Sequence, residues 1–216
     1  MSHPRSSRSA PTSLTERRKM ATQLDIARGA AELFSEKGPD GTTAEEIAAR
    51  AGVAPRTFYR YFRSKQDAIG PLLSSGADRW RSLLADTGPD VDLARALESA
   101  AVASFEPSGA PGEEEGLRWT RDLLQAAQAD PALRAVWYRV NQESEELLLP
   151  VLSRLAGPDA DLLKVRLVAA AATAAIRVAL EMWATTDPDS GEVGSPVDLV
   201  VKCLRELTGA LTLLSP

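Results

Sequence analysis

Between Thr43 and Lys65 the helix signals are packed so tightly that the chain has room only for two very short helices with a sharp turn between them. Thr43 with Glu46 three residues on makes a capping box, in which hydroxyl and carboxylate satisfy the first free N–H groups of a helix. Gly52 ends that helix after about two turns, because glycine enters a left-handed turn without a side-chain clash. Pro55 then suits the first position of the next helix, where its missing N–H costs nothing. Helices this short are unstable alone and persist only by packing. Ile47, Ala48 and Ala51 on the first, Val53 in the turn, and Phe58 and Phe62 on the second are therefore expected to meet one another. They are also expected to meet the apolar stripe Leu24, Ala27, Ala30, Ala31 and Phe34 of the preceding segment, whose spacing is helical up to Gly38-Pro39.

Once the phenylalanines face inward, Arg56, Thr57, Tyr59 and Arg60 face out. A short exposed helix with two arginines and two hydroxyls suits a DNA major groove, where arginine bonds guanine edges in bidentate fashion and hydroxyls reach phosphates or bases. Lys65, at the start of a further helix opened by Ser64 and Asp67, is expected to clamp a phosphate. The net charge of -5 hides a division that supports this. Residues 1–65 hold 12 Lys/Arg against 7 Asp/Glu, while residues 66–216 hold 13 against 23. A basic first third on an acidic body reads as a polyanion-binding module attached to something with another task.

The run Thr43-Ala44-Glu45-Glu46-Ile47-Ala48, then Ala51 to Phe62, then Ser64-Lys65, resembles the tetracycline-repressor (TetR) family of bacterial regulators in order, spacing and residue type. The resemblance implies a homodimer whose paired recognition helices read a palindromic double-stranded DNA operator. It also implies a divergent carboxy-terminal domain that binds a small-molecule inducer. By similarity Thr43, Arg56, Thr57, Tyr59, Tyr61 and Lys65 touch DNA, and Arg60, at a position that varies across the family, is a candidate base reader. Tyr61 can serve half in packing and half in a phosphate bond. Many relatives place Ser or Thr where this chain has Ala54, so Pro55 and the turn must set the helix start without a hydroxyl cap.

The expected organisation is a disordered basic tail over 1–14, a helix-turn-helix DNA-binding domain over 15–66, and a helical ligand-binding and dimerisation domain over 67–216. Arg5, Arg8, Arg17 and Arg18 either reach a minor groove as an arm or belong to a solvated tail. The fourth helix is expected to be interrupted by Gly70-Pro71, a hinge or a static bend, and to end at Thr87-Gly88-Pro89. A fifth, capped by Asp90 or Asp92, runs to Phe105; residues 107–116 form a loop; helices follow over about 116–129, 131–156 (kinked near its end by Pro150) and 160–185. After a loop at 187–196 a last helix spans 197–214. No alternating strand pattern appears, so the class is all-α, with about nine helices.

Enzyme chemistry finds no footing. The single histidine, His3, lies in the tail, which excludes His-based triads and His metal clusters, and no phosphate-cradling or nucleophile-elbow motif occurs. Glu113, Glu114 and Glu115 read as a solvated acidic run in a loop, and no cofactor or metal is expected. Cys203 reads as a small buried apolar residue; one cysteine cannot pair internally, which fits a reducing cytoplasm. No apolar run approaches the roughly 18 residues of a membrane span, and Met1 to Ser13 lacks the apolar core of a leader.

In the second domain Ala169 to Ala175 is poor in bulk and suits close helix approach or a subunit seam, and the last helix has a wide apolar face through Leu199, Val200, Leu204, Leu207, Leu211 and Leu214. Trp119, Trp137 and Trp183, with Phe105, Leu123, Tyr138, Met182 and Arg177, are candidates to line a cavity for an apolar or aromatic inducer. Arg177 has two readings, an i,i+4 pair with Glu181 or an anchor for an anionic ligand. Alternatively the chain binds DNA constitutively, or as an architectural protein, and senses no ligand.

Overall fold

The computed structural model describes residues 13–88, 91–106, 113–186 and 195–210, and every regular element among them is helical. Helix α1 spans Leu14–Lys37, α2 Ala44–Arg50 and α3 Pro55–Tyr61. A 3-10 turn at Asp67–Ile69 leads into α4, Gly70–Ala85. Then follow α5 Leu93–Phe105, α6 Glu113–Ala129, α7 Pro131–Ala156, α8 Leu162–Thr185 and α9 Pro196–Ala210. Residues 1–12, with Arg5 and Arg8, lie outside the described residues, as do Asp90, 107–112, 187–194, Leu211 and Leu214.

Side-chain caps place most helix starts. Ser13, Thr43, Asp92 and Asp161 each accept a hydrogen bond from a first-turn N–H, and Asp130 accepts two, from Ala132 and Leu133. At α3 Ala54 makes no such bond, and Pro55 stands in its first turn, as the sequence requires. Gly52, at φ +67°, and Gly38, at φ +76°, make the left-handed turns that separate the first three helices.

Two starts differ from the sequence reading. The fourth helix begins at Gly70 rather than at Ser64, so Gly70-Pro71 opens it and does not interrupt it. Pro71 cannot donate to the Asp67 carbonyl, and that carbonyl accepts the Gly70 N–H instead, which tightens Asp67–Ile69 into the 3-10 form. Ser64 caps this turn, its Oγ accepting from the Asp67 N–H (3.1 Å) and donating to the Asp67 carboxylate (2.9 Å). Likewise α6 begins at Glu113, so the acidic triplet forms helix rather than loop; acidic residues suit a first turn, where N–H groups point outward. Helix α7 continues through Pro150 to Ala156.

Two apolar cores hold the fold. The first joins Ile26, Ala27, Ala30 and Phe34 of α1 with Ile47, Ala48, Phe58 and Phe62, then extends through Ile69, Leu72 and Leu73 to Trp119, Leu123, Leu133 and Trp137. The second joins Trp80 and Leu84 of α4 with Leu97, Leu148, Leu152 and α8's Val165, Val168, Ala169, Ala172, Ala175 and Ala179. Val200 and Leu204 of α9 close it, against the small residues that let α8 and α9 approach. Gln125 of α6 donates to the Ala184 carbonyl (2.7 Å), and Arg154 donates to the Leu84, Ala85 and Thr87 carbonyls at the end of α4. No helix among the described residues is long and apolar enough to cross a membrane.

Gly70 holds right-handed helical angles directly before Pro71, whose ring crowds the Cβ of any other residue there. In urea unfolding, Gly70→Ala is therefore expected to fall short of the ~0.5–1 kcal/mol that alanine usually gains over glycine in a helix. A full gain would show that Pro71 does not constrain this position.

Candidate nucleic-acid interface

The first three helices pack so that α3 turns one face inward and one outward. Phe58 is fully buried, its ring 5.7 Å from that of Phe62, and both belong to the core with Ile26, Ile47 and Ala48. Helical geometry then puts Arg56, Tyr59, Arg60 and, past its end, Arg63 on the exposed side, with Thr57 and Tyr61 half-buried at its margins. Among the described residues Arg56 has no hydrogen-bond or ion-pair partner, so its five donors are available. Arg60 lies over the Tyr61 ring, 4.8 Å from the centroid, and donates to the Tyr61 hydroxyl at 3.3 Å. Tyr59 is 54% exposed and donates to the Glu45 carboxylate of α2 at 3.1 Å. That bond, with some desolvation and the charge of Glu45, raises the Tyr59 pKa above the ordinary tyrosine value.

Thr43 and Lys65 both carry structural duties. The Thr43 hydroxyl accepts from the Glu46 N–H (3.2 Å) and donates to the Glu46 carboxylate (2.9 Å), which accepts the Thr43 N–H in return (2.8 Å). Lys65 donates to the Thr42 carbonyl at 2.9 Å and keeps two further N–H groups. Thr42 is itself buried, its hydroxyl donating to the Gly38 carbonyl at 2.9 Å and so tying down the end of α1. Arg50 anchors α2 to α1 through Glu32 (3.0 Å) and Glu36 (2.8 Å), beside Gly29, where a Cβ would stand 3.2 Å from the arginine stem. Sequence reading singled out none of Glu45, Arg50 and Thr42, because their partners lie 14 to 23 residues away or on another helix.

The body residues named from sequence fall into separate neighbourhoods. Trp119, Leu123 and Trp137 are buried in the first core, whereas Phe105 packs on the second. Tyr138 and Met182 are half exposed. Arg177 takes the paired form, donating to Glu181 at 2.9 and 3.2 Å; Trp137 donates to the same carboxylate at 2.8 Å, and Arg177 lies 5.6 Å from the Tyr138 ring centroid. Trp183 stacks under Arg121, which also donates to the Thr186 carbonyl at the end of α8. A crevice lined by Ala77, Asp78, Trp80, Arg81, Ser144 and Leu148 has a volume of about 10 Å³, room for one water. The buried Thr173 hydroxyl has no partner among the described residues. Among the described residues, polar links from the first helices to the body run from Ser35 to Asp122 (3.0 Å) and from Asp67 to Arg139 (2.6 Å).

A turn-linked helix pair on a third helix, with a cationic outer face, defines a helix-turn-helix DNA-binding protein. Residues 26–68 match the family model described as bacterial regulatory proteins, tetR family, and residues 91–211 match that of the MftR C-terminal domain. The HTH-type transcriptional regulator TcmR of Streptomyces glaucescens is 30% identical over 161 residues, 72% of this chain and 70% of the relative. The HTH-type transcriptional repressor Rv3405c of Mycobacterium tuberculosis is 34% identical over 89 residues, and there this chain spans only about half (47%) of the relative. The Thermus thermophilus TetR-family repressor FadR, solved with lauroyl-CoA, shares the fold at TM-score 0.53 and 22% identity, covering 88% of this chain and 94% of its own. The chain belongs to the TetR family of DNA-binding transcriptional regulators. Its relatives are regulators of transcription, not enzymes.

Hydrogen bonds from Lys37, the Thr43 N–H and the Thr43 hydroxyl hold Glu46 at a pKa of about 2, against an ordinary 4.5. A depressed carboxyl pKa contributes stability above its unfolded value, and that contribution disappears as pH falls through the folded one. Thermal midpoints of the wild type should therefore drop more steeply between pH 4.5 and about 2 than those of Glu46→Gln; parallel curves would remove the capping box as an acid-sensitive element.

Proposed function

We propose that this regulator is a repressor that binds a palindromic operator as a homodimer through residues 15–66 and is released by a small, largely apolar or aromatic inducer bound within residues 67–216. The observation that carries the reading is the exposed Arg56, without a partner among the described residues, on a helix whose opposite face is locked by the fully buried Phe58. A cation fixed on a rigid rod at a protein surface suits a groove lined by phosphates and base edges. Arg56, Thr57, Tyr59 and Arg60 face the groove, with Arg60 as base reader. Thr43, Tyr61 and Lys65 touch the backbone, Lys65 through the N–H groups that Thr42 leaves free.

Dimerisation finds support on α8. Leu163, Leu167, Val178 and Met182 are exposed, and with half-buried Ala171 and Ala174 they recur every three or four residues as one apolar stripe. Such a stripe, on a helix whose other side is already buried against α7 and α9, calls for a second copy. For the inducer, Trp119, Leu123 and Trp137 in the first core and Phe105 on the second are separate candidate apolar contacts, and the buried Thr173 hydroxyl, without a partner among the described residues, is a candidate polar anchor. The crevice beside Trp80 holds one water as it stands, so an inducer entering there would have to part α4 from α7. The lauroyl-CoA of the FadR structure shows what this fold accepts in one neighbour.

Selection of bound duplexes from a random pool tests the DNA reading. The wild type should enrich an inverted repeat, and Arg56→Ala should weaken binding by about 1–3 kcal/mol and relax the base preference at its position. No enriched sequence would overturn the reading. The dimer is tested separately: Leu167→Glu with Val178→Glu should convert a dimer into monomer in sedimentation at micromolar concentration, while a wild type that sediments only as monomer would defeat it.

A further inference from the structure

We propose that Glu45 selects a cytosine in each half of the operator and that Tyr59 is the positioning residue that aims it; this inference rests on the DNA-reading function above. Two adjacent acids open α2, and their situations differ. Glu46 is consumed by the Thr43 cap and by Lys37. Glu45 is exposed and pairs with no cation among the described residues; its Oε1 accepts from the Tyr59 hydroxyl at 3.1 Å, and its second oxygen has no partner among them. Tyr59 stands on the outer face of α3, three residues after Arg56 and beside Arg60. An uncompensated carboxylate is thereby held on the surface that meets DNA.

Against phosphate this charge is repelled, so it is accommodated only where the groove offers a donor. In the major groove the donors are the exocyclic amines of cytosine and adenine. On adenine the amine sits next to N7, an acceptor that would face the carboxylate; the cytosine edge offers its amine without a neighbouring acceptor on the same base. Thymine and guanine present carbonyl oxygens and are rejected. Tyr59, being neutral, orients Glu45 without cancelling its charge, and its bond to Oε1 leaves the other oxygen for the base.

The test compares the full-length wild type with Glu45→Gln, Glu45→Ala and Tyr59→Phe by selection from a random duplex pool at one salt concentration, with thermal melting of each protein. Wild type should enrich cytosine at one position per half-site. Glu45→Gln, isosteric and on an exposed site, should melt like wild type and keep the rest of the motif while shifting that position to adenine, which an amide can bond at both N6 and N7. Glu45→Ala should lose about tenfold discrimination at that position alone and bind mismatched DNA more tightly. Tyr59→Phe should keep the cytosine with a weaker preference. If Glu45→Gln and Glu45→Ala enrich the wild-type motif unchanged, or lose affinity for all sequences equally, Glu45 is no base reader. An unchanged preference in Tyr59→Phe removes the aiming role. If the wild type itself enriches no sequence, the DNA reading fails first, and the inference with it.

Discussion

The burial of Phe58 is the contact on which the DNA-reading end depends. Helices of seven residues, such as α2 and α3, do not survive alone in water, because too few backbone bonds form to offset the ordering of their ends. Here the Phe58 ring fills the space between α1 and α2, against Ile26, Ile47 and Ala48, all without solvent access. This burial also decides function. A helix that must point Phe58 and Phe62 inward has no freedom over where Arg56, Tyr59 and Arg60 point, so the packing itself aims the cations.

The same core passes without a break into the body. Trp119, Leu123 and Trp137 belong to the cluster that contains Phe58, and Ser35–Asp122 and Asp67–Arg139 bridge the same seam with polar contacts. Close-packed interiors transmit strain, and this shared core is where α6 bears on α1 and α7 on the turn before α4. Pro71 stands in the first turn of α4, so the chain enters the body at a helix start and not through a broken helix.

Arg177 shows how an apparent ligand anchor resolves once partners are visible. It shares Glu181 with Trp137 and lies beside Tyr138, so one carboxylate organises two helices. Part-buried pairs of this kind contribute modestly to stability but fix side-chain geometry. Thr173 is the contrasting case, a buried hydroxyl without a hydrogen-bond partner among the described residues.

Local signals determined much of this protein in advance. The capping box at Thr43, Gly52 in the turn, Pro55 at a helix start, Asp92 as a cap and the inward phenylalanines are all written within a few residues of where they act, because capping, turn angles and helical period are short-range physics. The surplus of basic residues before residue 66 was equally plain. Helix boundaries are less plain from local signals: Gly70-Pro71 reads as a break in a helix that in fact begins there, and Glu113 to Glu115 read as loop but open α6. The long-range pairs were decided by tertiary structure alone. Tyr59 meets Glu45, Arg139 meets Asp67, and Trp137 reaches Glu181 because helix packing carries residues 14, 72 and 44 positions apart to within a hydrogen bond of each other, whereas Arg177 meets Glu181 by local i,i+4 spacing. Periodicity names the face a residue occupies; only the packing of one face on another names its partner.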